Sequence, residues 1–322
     1  MSDEKPDEKE RRTQIQDAEE YMVWLAKRGK VQRKKFILKN FQCPGDILML
    51  AACVRDIKIW YPDLEIDVRT SCNEMFDNNP YITKLDPDDP DVHEIDMEYP
   101  IIHESNQYMH HHFIHGFHLY FNEKTGYAVK LLHFKPDVHL TEDEKNTPVF
   151  DDLPEKFVVI NAGGKTDYKT KWWWREAWDE VVSGCPEIPF VQVGKTSADD
   201  HKHEVLKSSN SIDKLGQTTL RELMRLIYQS SGTLSVVTSV MHIAAAFDKP
   251  ATVVAGGHEP WWWEKYPNHS YFHTIGQLKC CKDGGCWGGE CKNLDSDDRQ
   301  KCLKQINPKD VAESIKGWFY EK

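Results

Sequence analysis

The amino-acid sequence predicts an α/β protein of two domains, each built on a parallel β-sheet and facing a central cleft. Its 322 residues suit two domains of about 150 residues each. Short apolar runs alternate with helical periodicity throughout the second half, a pattern typical of a parallel sheet with helices on both faces. The first half opens with a strand, a glycine-containing turn and a helix, which is the start of a βαβ unit. We therefore expect two Rossmann-like domains.

The first domain is assigned to residues 17–150. It follows a polar stretch, residues 1–16, that is predicted to be a flexible tail because its composition cannot repay the entropy of ordering by burial. The first strand is predicted at residues 36–41 and the first helix at residues 47–61, joined by a Cys-Pro-Gly-Asp turn. Residues 65–70 are predicted to form the second strand.

Composition assigns the remaining segments of the first domain. We expect a short amphipathic helix at residues 18–27, a second β–α repeat around residues 75–85 and a solvated loop in the acidic stretch 86–96. A polar connector with two prolines, residues 140–155, marks the predicted domain boundary.

The second domain, residues 151–322, alternates strands and helices and carries a Cys-rich loop at residues 280–302. Its predicted strands are residues 157–161, 190–193, 233–237 and 251–255, and its predicted helices are residues 175–182, 219–229, 241–247 and 308–319. The last helix starts with Pro308, which suits the first helical turn.

The charge balance excludes a broad nucleic-acid-binding surface, because 41 basic against 52 acidic residues give a net charge of -11. A local basic groove near the KVQRKK segment, residues 30–35, stays open. Hydrophobic residues make up 39% of the chain, which excludes global disorder. No apolar run approaches the roughly 18 residues of a membrane helix, and the N-terminus lacks the apolar core of a secretory signal. We expect no membrane span and a cytoplasmic location.

Four segments carry patterns that go beyond the general fold. Residues 215–250 combine a G-x-T-x-L-R-E-L start with a VVTSVMHIAAA core, and residues 161–174 form a glycine-containing loop that ends in K-W-W-W. Residues 40–53 contain the Gly-Asp turn, and residues 61–68 contain a Y-P…I-D-V pattern. Over residues 35–260, the chain thus resembles the heptosyltransferase-like glycosyltransferases of family 9.

The resemblance implies the GT-B fold, with the acceptor bound by the first domain and the donor by the second. It implies inverting transfer of a sugar, such as a heptose, from a nucleotide-sugar to a hydroxyl of a saccharide or protein, without a catalytic divalent metal. An ADP-linked donor is favoured, with UDP- and GDP-linked donors as alternatives. Val237 stands where the family has an acidic residue, which leaves the donor sugar open.

Inverting transfer needs a carboxylate that takes the proton of the acceptor hydroxyl. Asp46 lies just after Gly45 at a strand-to-helix turn, and ligands of open α/β sheets bind at the carboxyl ends of the strands. Asp46 also matches the residue that the resemblance implies as the base. The alternative is that Asp46 only caps the helix.

Transfer also releases a nucleoside diphosphate, whose charge is stabilised by cations and by helix N-terminal amides. Lys171 aligns best with the phosphate lysine of the family, and a hydroxyl-bearing turn lies before the helix at residues 241–247. An exposed lysine and an ordinary helix cap are the alternatives. The predicted donor-binding residues are Gly163, Gly164, Lys165, Lys171, Thr238, Ser239, His242, Gly256, Gly257 and Glu259, with His258 in the same loop.

Two tryptophan triplets, residues 172–174 and 261–263, flank this predicted site. Three consecutive side chains point in different directions, so neither triplet is expected to be wholly buried. One ring of each is a candidate for stacking on a nucleobase or sugar. Packing within the core or between domains is the alternative.

A histidine-rich stretch, residues 103–118, belongs to the predicted acceptor domain. Its candidate acceptor-binding residues are His103, Ser105 and Asn106. His111 and His115 are one helical turn apart, but the glutamate of an H-E-x-x-H zinc motif is missing. Acceptor recognition or a polar cleft wall is therefore favoured over metal binding here.

Five of the nine cysteines lie within residues 280–302. In a cytoplasmic protein such a cluster favours metal over disulfides, and four thiolates suit a tetrahedral zinc or iron site. The predicted ligands of this structural metal are Cys281, Cys286, Cys291 and Cys302, with Cys280 as a spare or substitute. The loop resembles the cysteine finger of the iron-containing autotransporter heptosyltransferases, which share its Cys-Trp step. Disulfides or free thiols are the alternative.

Two other functions compete with sugar transfer to a saccharide or protein. A glycosyltransferase that acts on modified bases in DNA is not favoured by the acidic net charge. A non-catalytic GT-B binding module is disfavoured by the presence of both Asp46 and Lys171.

Overall fold

The structure, a computed structural model, describes residues 33–100, 102, 110–196, 200–282 and 284–321. The predicted tail and the predicted helix at residues 18–27 lie outside the described residues. The candidate acceptor-binding residues His103, Ser105 and Asn106 also lie outside them.

The first sheet comes from the beginning of the chain and is entirely parallel. Strand β1 (Lys35–Asn40) lies in the middle, between β2 (Glu65–Thr70) and β3 (Val92–Asp96). Consecutive side chains in the middle of β1 and β2 are all buried, because a parallel sheet is covered on both faces. The two strands predicted at residues 36–41 and 65–70 are confirmed.

The predicted helix after β1 is also confirmed and starts earlier than expected. Helix α1 (Pro44–Trp60) has proline in its first turn, and Asp46 forms a capping box with the backbone at Cys43. Every residue from 47 to 57 is buried. A helix that is apolar on all sides is buried all round, and α1 packs against helices of both halves of the chain.

Two predictions for the first domain are wrong. Residues 75–85 hold no α-helix, and only a 3₁₀ turn (Asn73–Phe76) forms at their start. The acidic stretch predicted as a loop ends in strand β3, which pairs with β1. Ile95 alone is buried in that strand, so the pairing leaves almost no apolar signal in the sequence.

Two helices complete this half. Helix α2 (Phe113–Thr125) follows the histidine-rich stretch and ends at Gly126, whose positive φ of 80° closes it with a left-handed residue. Helix α3 (Glu142–Asn146) lies in the polar connector and begins with a capping box from Thr141.

The second half of the chain holds the strands β4 (Val158–Asn161), β5 (Gly164–Lys165), β6 (Phe190–Gln192), β7 (His201–Lys202), β8 (Ser211–Asp213), β9 (Gly232–Val236), β10 (Ala251–Gly256) and β11 (His269–His273). Six of them form a parallel sheet within the described residues, in the order β11-β10-β9-β4-β6-β8. The two short strands β5 and β7 pair with each other in antiparallel fashion. The four strands predicted in this half are confirmed to within one residue at each end.

The helices of this half are α4 (Arg175–Ser183), α5 (Leu220–Gln229), α6 (Ser239–Ala246), α7 (Trp261–Glu264) and α8 (Pro308–Tyr320). Four of them match the predicted helices, whereas α7 is a single turn that the sequence pattern did not indicate. The predicted α/β class with two parallel sheets is confirmed. Among the described residues, no helix is both long enough and apolar enough to cross a membrane.

Candidate functional site

The N-terminal ends of α1 and α6, which follow the central strands of the two sheets, meet at the candidate site. Gly45 at the start of α1 lies against the His242 ring, and a Cβ atom at this position would be only 2.9 Å from His242 Cδ2. Only glycine permits this approach without displacing the ring. The contact brings Asp46 next to the second half of the chain.

Asp46 is both a helix cap and a carboxylate of the cleft. Its Oδ2 atom accepts a hydrogen bond from the Cys43 backbone N–H at 3.1 Å, and its Oδ1 atom accepts one from the Tyr99 hydroxyl at 2.9 Å. Burial raises the pKa of Asp46 above its usual value, and these two hydrogen bonds oppose the rise. The carboxylate is thus held in one orientation and made more basic than an exposed aspartate.

Lys171 faces Asp46 from the second half of the chain. Its Nζ atom lies 2.9 Å from Glu259 Oε2, and the side chain is mostly buried. Burial alone would lower the pKa of Lys171, but the ion pair with the Glu259 carboxylate raises it above its usual value. Lys171 therefore stays charged and supplies positive charge inside the cleft.

Lys165 lies at the mouth of the cleft and is more exposed than Lys171. Its Nζ atom is 3.2 Å from Asp167 Oδ2 and 4.0 Å from Cys43 Sγ. The side chain thus reaches toward the turn that carries Asp46.

Thr238 and His242 both belong to α6 but occupy different environments. Thr238 is the N-cap residue, yet its side chain makes no capping hydrogen bond, and its buried Oγ1 atom has no partner within the described residues. The first amides of α6, which begins at Ser239, are therefore not capped by this hydroxyl.

His242 was expected in the turn and lies instead inside the helix, with Nδ1 bonded to the Tyr266 hydroxyl at 2.8 Å. Burial lowers the pKa of His242 to about 3, so the ring is neutral.

The predicted glycines each have a packing reason to be glycine. A Cβ atom at Gly163 would clash with the backbone of β7, and one at Gly164 would lie 3.3 Å from Trp172 Nε1. Gly256 has a φ of 61° and packs on Leu303, and a Cβ atom at Gly257 would lie 3.0 Å from Cys281 Sγ. Donor binding by these four residues stays a prediction.

Glu264, the last residue of α7, belongs to the candidate site but was not predicted from the sequence. It is only 6% exposed, and its Oε2 atom has no hydrogen-bond partner among the described residues. Burial and the nearby Glu259 carboxylate raise its pKa well above the ordinary value. In the sequence, Glu264 directly follows three tryptophans, and this pattern alone indicates an ordinary surface glutamate.

The two tryptophan triplets are not wholly buried, as predicted. Trp173 and Trp263 are buried in the core, and Trp261 is 40% exposed. Trp262 stacks on the ring of His110, with centroids 3.9 Å apart. The buried rings bear out the packing interpretation for one residue of each triplet.

The Cys-rich loop packs against the loop that carries Lys171. Thr170 Oγ1 donates to the Gly288 carbonyl at 2.6 Å, so the same oxygen accepts from His258 Nδ1 at 2.8 Å. Gln300 Nε2 donates to the Lys169 carbonyl at 2.8 Å. The residues just before Lys171 are therefore held by the Cys-rich loop.

Cys281 is buried, whereas its neighbour Cys280 is exposed. The Cys281 Sγ atom donates to the Thr274 carbonyl at 3.2 Å and to the Leu278 carbonyl at 3.5 Å. Burial raises the pKa of this thiol, and the backbone N–H groups of Leu278 and Gly276 oppose the rise. The role of Cys281 as a metal ligand stays a prediction.

The other four sulfur atoms of the loop each accept a hydrogen bond from an N–H group, which favours thiolate. The donors are Asn293 Nδ2 for Cys280, the backbone of Asn293 for Cys291, the backbone of Gly288 for Cys286 and the backbone of Gly257 for Cys302. Within the described residues, which omit Asp283 of this loop, no three histidine, cysteine or acidic side chains are arranged to hold a metal ion.

The described part of the histidine-rich stretch also has no three side chains arranged to hold a metal ion. The rings of His111 and His115 are 6.3 Å apart and tilted. Burial lowers the pKa of His115 to about 4, so this ring is neutral. The preference for a polar cleft wall over metal binding stays a prediction.

Comparison with known proteins places this cleft in a family. Residues 101–284, more than half of the chain, match the model of glycosyltransferase family 9 (heptosyltransferase). None of the curated proteins compared with the chain matches it.

Several solved structures share the fold. A family 9 glycosyltransferase from Veillonella parvula has 11% identity and a TM-score of 0.64, covering 91% of this chain and 99% of that one. ADP-heptose lipopolysaccharide heptosyltransferase II from E. coli has 15% identity and a TM-score of 0.58, covering 88% and 98%.

A third similar structure is the dodecameric iron-containing heptosyltransferase TibC from enterotoxigenic E. coli, solved in complex with ADP-D-β-D-heptose. It has 15% identity and a TM-score of 0.62, covering 89% of this chain and 76% of that one. The expected family, two-sheet fold and enzyme class are confirmed. The chain is a glycosyltransferase with the GT-B fold and belongs to glycosyltransferase family 9, the heptosyltransferase family.

Proposed function

We propose that this enzyme transfers a sugar, such as a heptose, with inversion from an ADP-linked donor to a hydroxyl of a saccharide or protein acceptor. Asp46 is the general base in this proposal. The observation that carries it is an oriented, partly buried carboxylate on which the charge of a mostly buried lysine acts. Two of the similar structures are described as heptosyltransferases that use or bind ADP-heptose, which supports the choice of donor.

The reaction requires four linked changes. The acceptor oxygen attacks the anomeric carbon while the bond from that carbon to the diphosphate breaks, and the diphosphate leaves with the electron pair. The proton of the acceptor hydroxyl moves to Asp46. A raised pKa makes Asp46 a stronger base, and the Tyr99 hydroxyl keeps its Oδ1 atom in place.

Positive charge for the leaving diphosphate comes from Lys171 and from the amides at the start of α6. The Thr238 hydroxyl makes no capping bond, so it does not compete with phosphate oxygens for these amides. Glu259 holds Lys171 charged before the donor arrives. These groups support the expectation that no catalytic divalent metal is needed.

Donor turnover with and without the proposed base tests this function. Purified protein is incubated with ADP-D-β-D-heptose and with ADP-, UDP- and GDP-linked hexoses, and release of the nucleoside diphosphate is followed. We expect slow hydrolysis of one donor, and we expect Asp46→Asn to lower that rate about 10²–10⁴-fold while binding of the free nucleoside diphosphate is kept. Asp63→Asn, an exposed aspartate after α1, is the matched control.

Two outcomes would contradict the proposal. Indifference of the wild-type protein to every nucleotide and nucleotide-sugar removes the proposed activity. Unchanged turnover in Asp46→Asn contradicts the role of Asp46 as the general base but does not contradict the choice of donor.

We also propose that the Cys-rich loop holds a structural zinc or iron ion through Cys281, Cys286, Cys291 and Cys302, with Cys280 as a substitute ligand. Each of the four sulfur atoms accepts a hydrogen bond from an N–H group, although they are not gathered around one point among the described residues. The ion would cross-link the loop that braces Lys171.

Neighbouring serine variants separate the two ligand sets. Elemental analysis of the purified protein is expected to give about one zinc or iron per chain. Cys281→Ser is expected to lose most of this metal, and Cys280→Ser is expected to keep it. Absence of metal from the wild-type protein rejects the site, and loss from Cys280→Ser alone rejects the choice of Cys281.

A further inference from the structure

Glu264 is a buried carboxyl that has no role in the transfer reaction proposed above. It ends α7 and lies close enough to Lys171, Glu259 and Asp46 for their charges to act on it. Its carboxyl also acts on the hydroxyl groups of Tyr99 and Tyr271, which belong to opposite halves of the chain. Glu264 is therefore close to groups from both halves of the chain.

Lys171 pairs with another carboxyl than that of Glu264. Three carboxyls, those of Asp46, Glu259 and Glu264, act on the Lys171 ammonium. Glu259 takes the ion pair with Lys171. Asp46 takes the Tyr99 hydroxyl and a backbone N–H. No donor within the described residues bonds Glu264 Oε2, and a buried carboxylate in this situation is costly to ionise, so Glu264 carries a proton.

A protonated carboxyl has one O–H donor and also accepts, which is the pattern that a sugar hydroxyl needs from its partner. Two buried oxygens in this region, Glu264 Oε2 and the Tyr271 hydroxyl, make no hydrogen bond within the described part of the chain. Buried polar groups without partners are costly, and a bound ligand removes that cost by pairing with them.

We propose that Glu264 is a specificity-determining residue that binds a hydroxyl of the transferred sugar as a neutral carboxylic acid. This inference rests on the proposed transfer from a nucleotide-sugar. Glu264 lies among the residues assigned to the donor, so the recognised group is the polyhydroxylated sugar of the donor rather than the acceptor. Its neutral state also avoids adding negative charge next to the diphosphate. The family has an acidic residue at the position of Val237, and Glu264 of α7 supplies a carboxyl in its place.

The role has a defined dependence on pH. The groups that face Glu264 are Lys171 and Glu259 from the donor side, Asp46 from α1, the hydroxyls of Tyr99, Tyr266 and Tyr271, and the buried ring of His112 next to its backbone. Lys171 stays charged and the tyrosines stay neutral at alkaline pH, because their pKa values are raised. The group that changes as pH rises is Glu264, which ionises and repels the donor.

Full-length Glu264→Gln and Glu264→Leu test the proposal with the donor that the wild-type enzyme hydrolyses and with its free nucleoside diphosphate. We expect Glu264→Leu to lower kcat/KM for the donor about 10–100-fold, equivalent to about 1.4–2.8 kcal/mol, without changing affinity for the nucleoside diphosphate, which has no sugar. Glu264→Gln is expected to keep most of the activity near pH 7 because its amide also donates. The KM of the wild-type enzyme is expected to rise at alkaline pH, and Glu264→Gln is expected to lack that rise.

Glu313→Gln, an exposed glutamate of α8 that pairs with Lys316, is the matched control and should behave as wild type. The proposal is overturned if Glu264→Leu weakens the nucleoside diphosphate as much as the donor, or if Glu264→Gln keeps the alkaline rise in KM. Melting temperatures separate these results from misfolding, and Glu264→Gln preserves the shape of the side chain. A wild-type protein that turns over no donor contradicts the proposed function instead.

Discussion

Lys171 forms an ion pair with Glu259 in the candidate site, so its removal has two effects. The leaving diphosphate loses its cation, and Glu259 loses its ion pair. We expect Lys171→Met to lower kcat about 10²–10³-fold, the usual cost of one group that stabilises developing negative charge. Steady-state kinetics with the identified donor measure this.

Lys165→Met is the matched control, because Lys165 belongs to the same loop but is more exposed and pairs with Asp167. We expect a change of less than about tenfold, since exposed charges act through a high dielectric. A larger loss for Lys165→Met than for Lys171→Met would exchange the roles of the two lysines.

Sequence alone predicted the residues of the site that lie in a recognisable strand-to-helix turn. Asp46 and Lys171 are of this kind, and the structure brings them to one cleft. Tyr99 and Glu264 could not be predicted, because the first bonds to a residue 53 positions away and the second is buried by tertiary packing.

At the scale of elements, α5 is tied to α3 through one arginine. The Arg221 guanidinium bonds both oxygens of Glu144 at 2.7 Å and the His139 carbonyl at 2.7 Å. These hydrogen bonds hold the pKa of Glu144 down to about 2. The folded-state pKa is lowered, so the stability from this pair is present above the ordinary pKa of glutamate and is lost as pH falls toward 2.

Arg221→Met is therefore expected to lower the free energy of unfolding by about 2 kcal/mol at pH 7, since hydrogen bonds to charged groups are among the stronger ones. Urea unfolding measures the change. Arg225→Met, one turn further along α5, is the control, because Arg225 reaches only backbone carbonyls. Equal losses in both variants would mean that the charge of Glu144 contributes nothing.

The elements themselves were predictable where local and global signals agree. Helix α5 has an amphipathic pattern and a capping box, and its predicted start is displaced by one residue. Strand β3 was missed because its pairing with the central strand, and not its composition, makes it a strand. Helix α7 was missed because one turn is too short for periodicity to show.

At the scale of the whole molecule, buried histidines determine the response to acid. Burial lowers their pKa values, to about 4 for His115, His203 and His258 and to about 3 for His242 and His269. The unfolded chain binds these protons near pH 6.5 and the folded chain only near pH 3–4. Unfolding therefore takes up protons, and stability falls as pH falls through this window.

We expect a lower melting temperature at pH 5 than at pH 7, by about 2–4 °C for each kcal/mol lost. Differential scanning calorimetry at the two values measures the difference. His269→Phe is expected to reduce it, because neither ring nitrogen of His269 has a partner among the described residues and the variant removes one proton-binding group. Equal melting temperatures at pH 5 and pH 7 would contradict the assignment of neutral buried rings.

Thr170 gives the donor loop one fixed end. Its hydroxyl is held by Gly288 and His258, whereas Lys165, five residues earlier, is 40% exposed and bonded to an exposed aspartate. The backbone at Lys165 is also held, because this residue belongs to the β5–β7 pair and its carbonyl accepts from Trp172 Nε1 at 3.1 Å. The backbone that carries both lysines is therefore fixed at its two ends before the donor arrives.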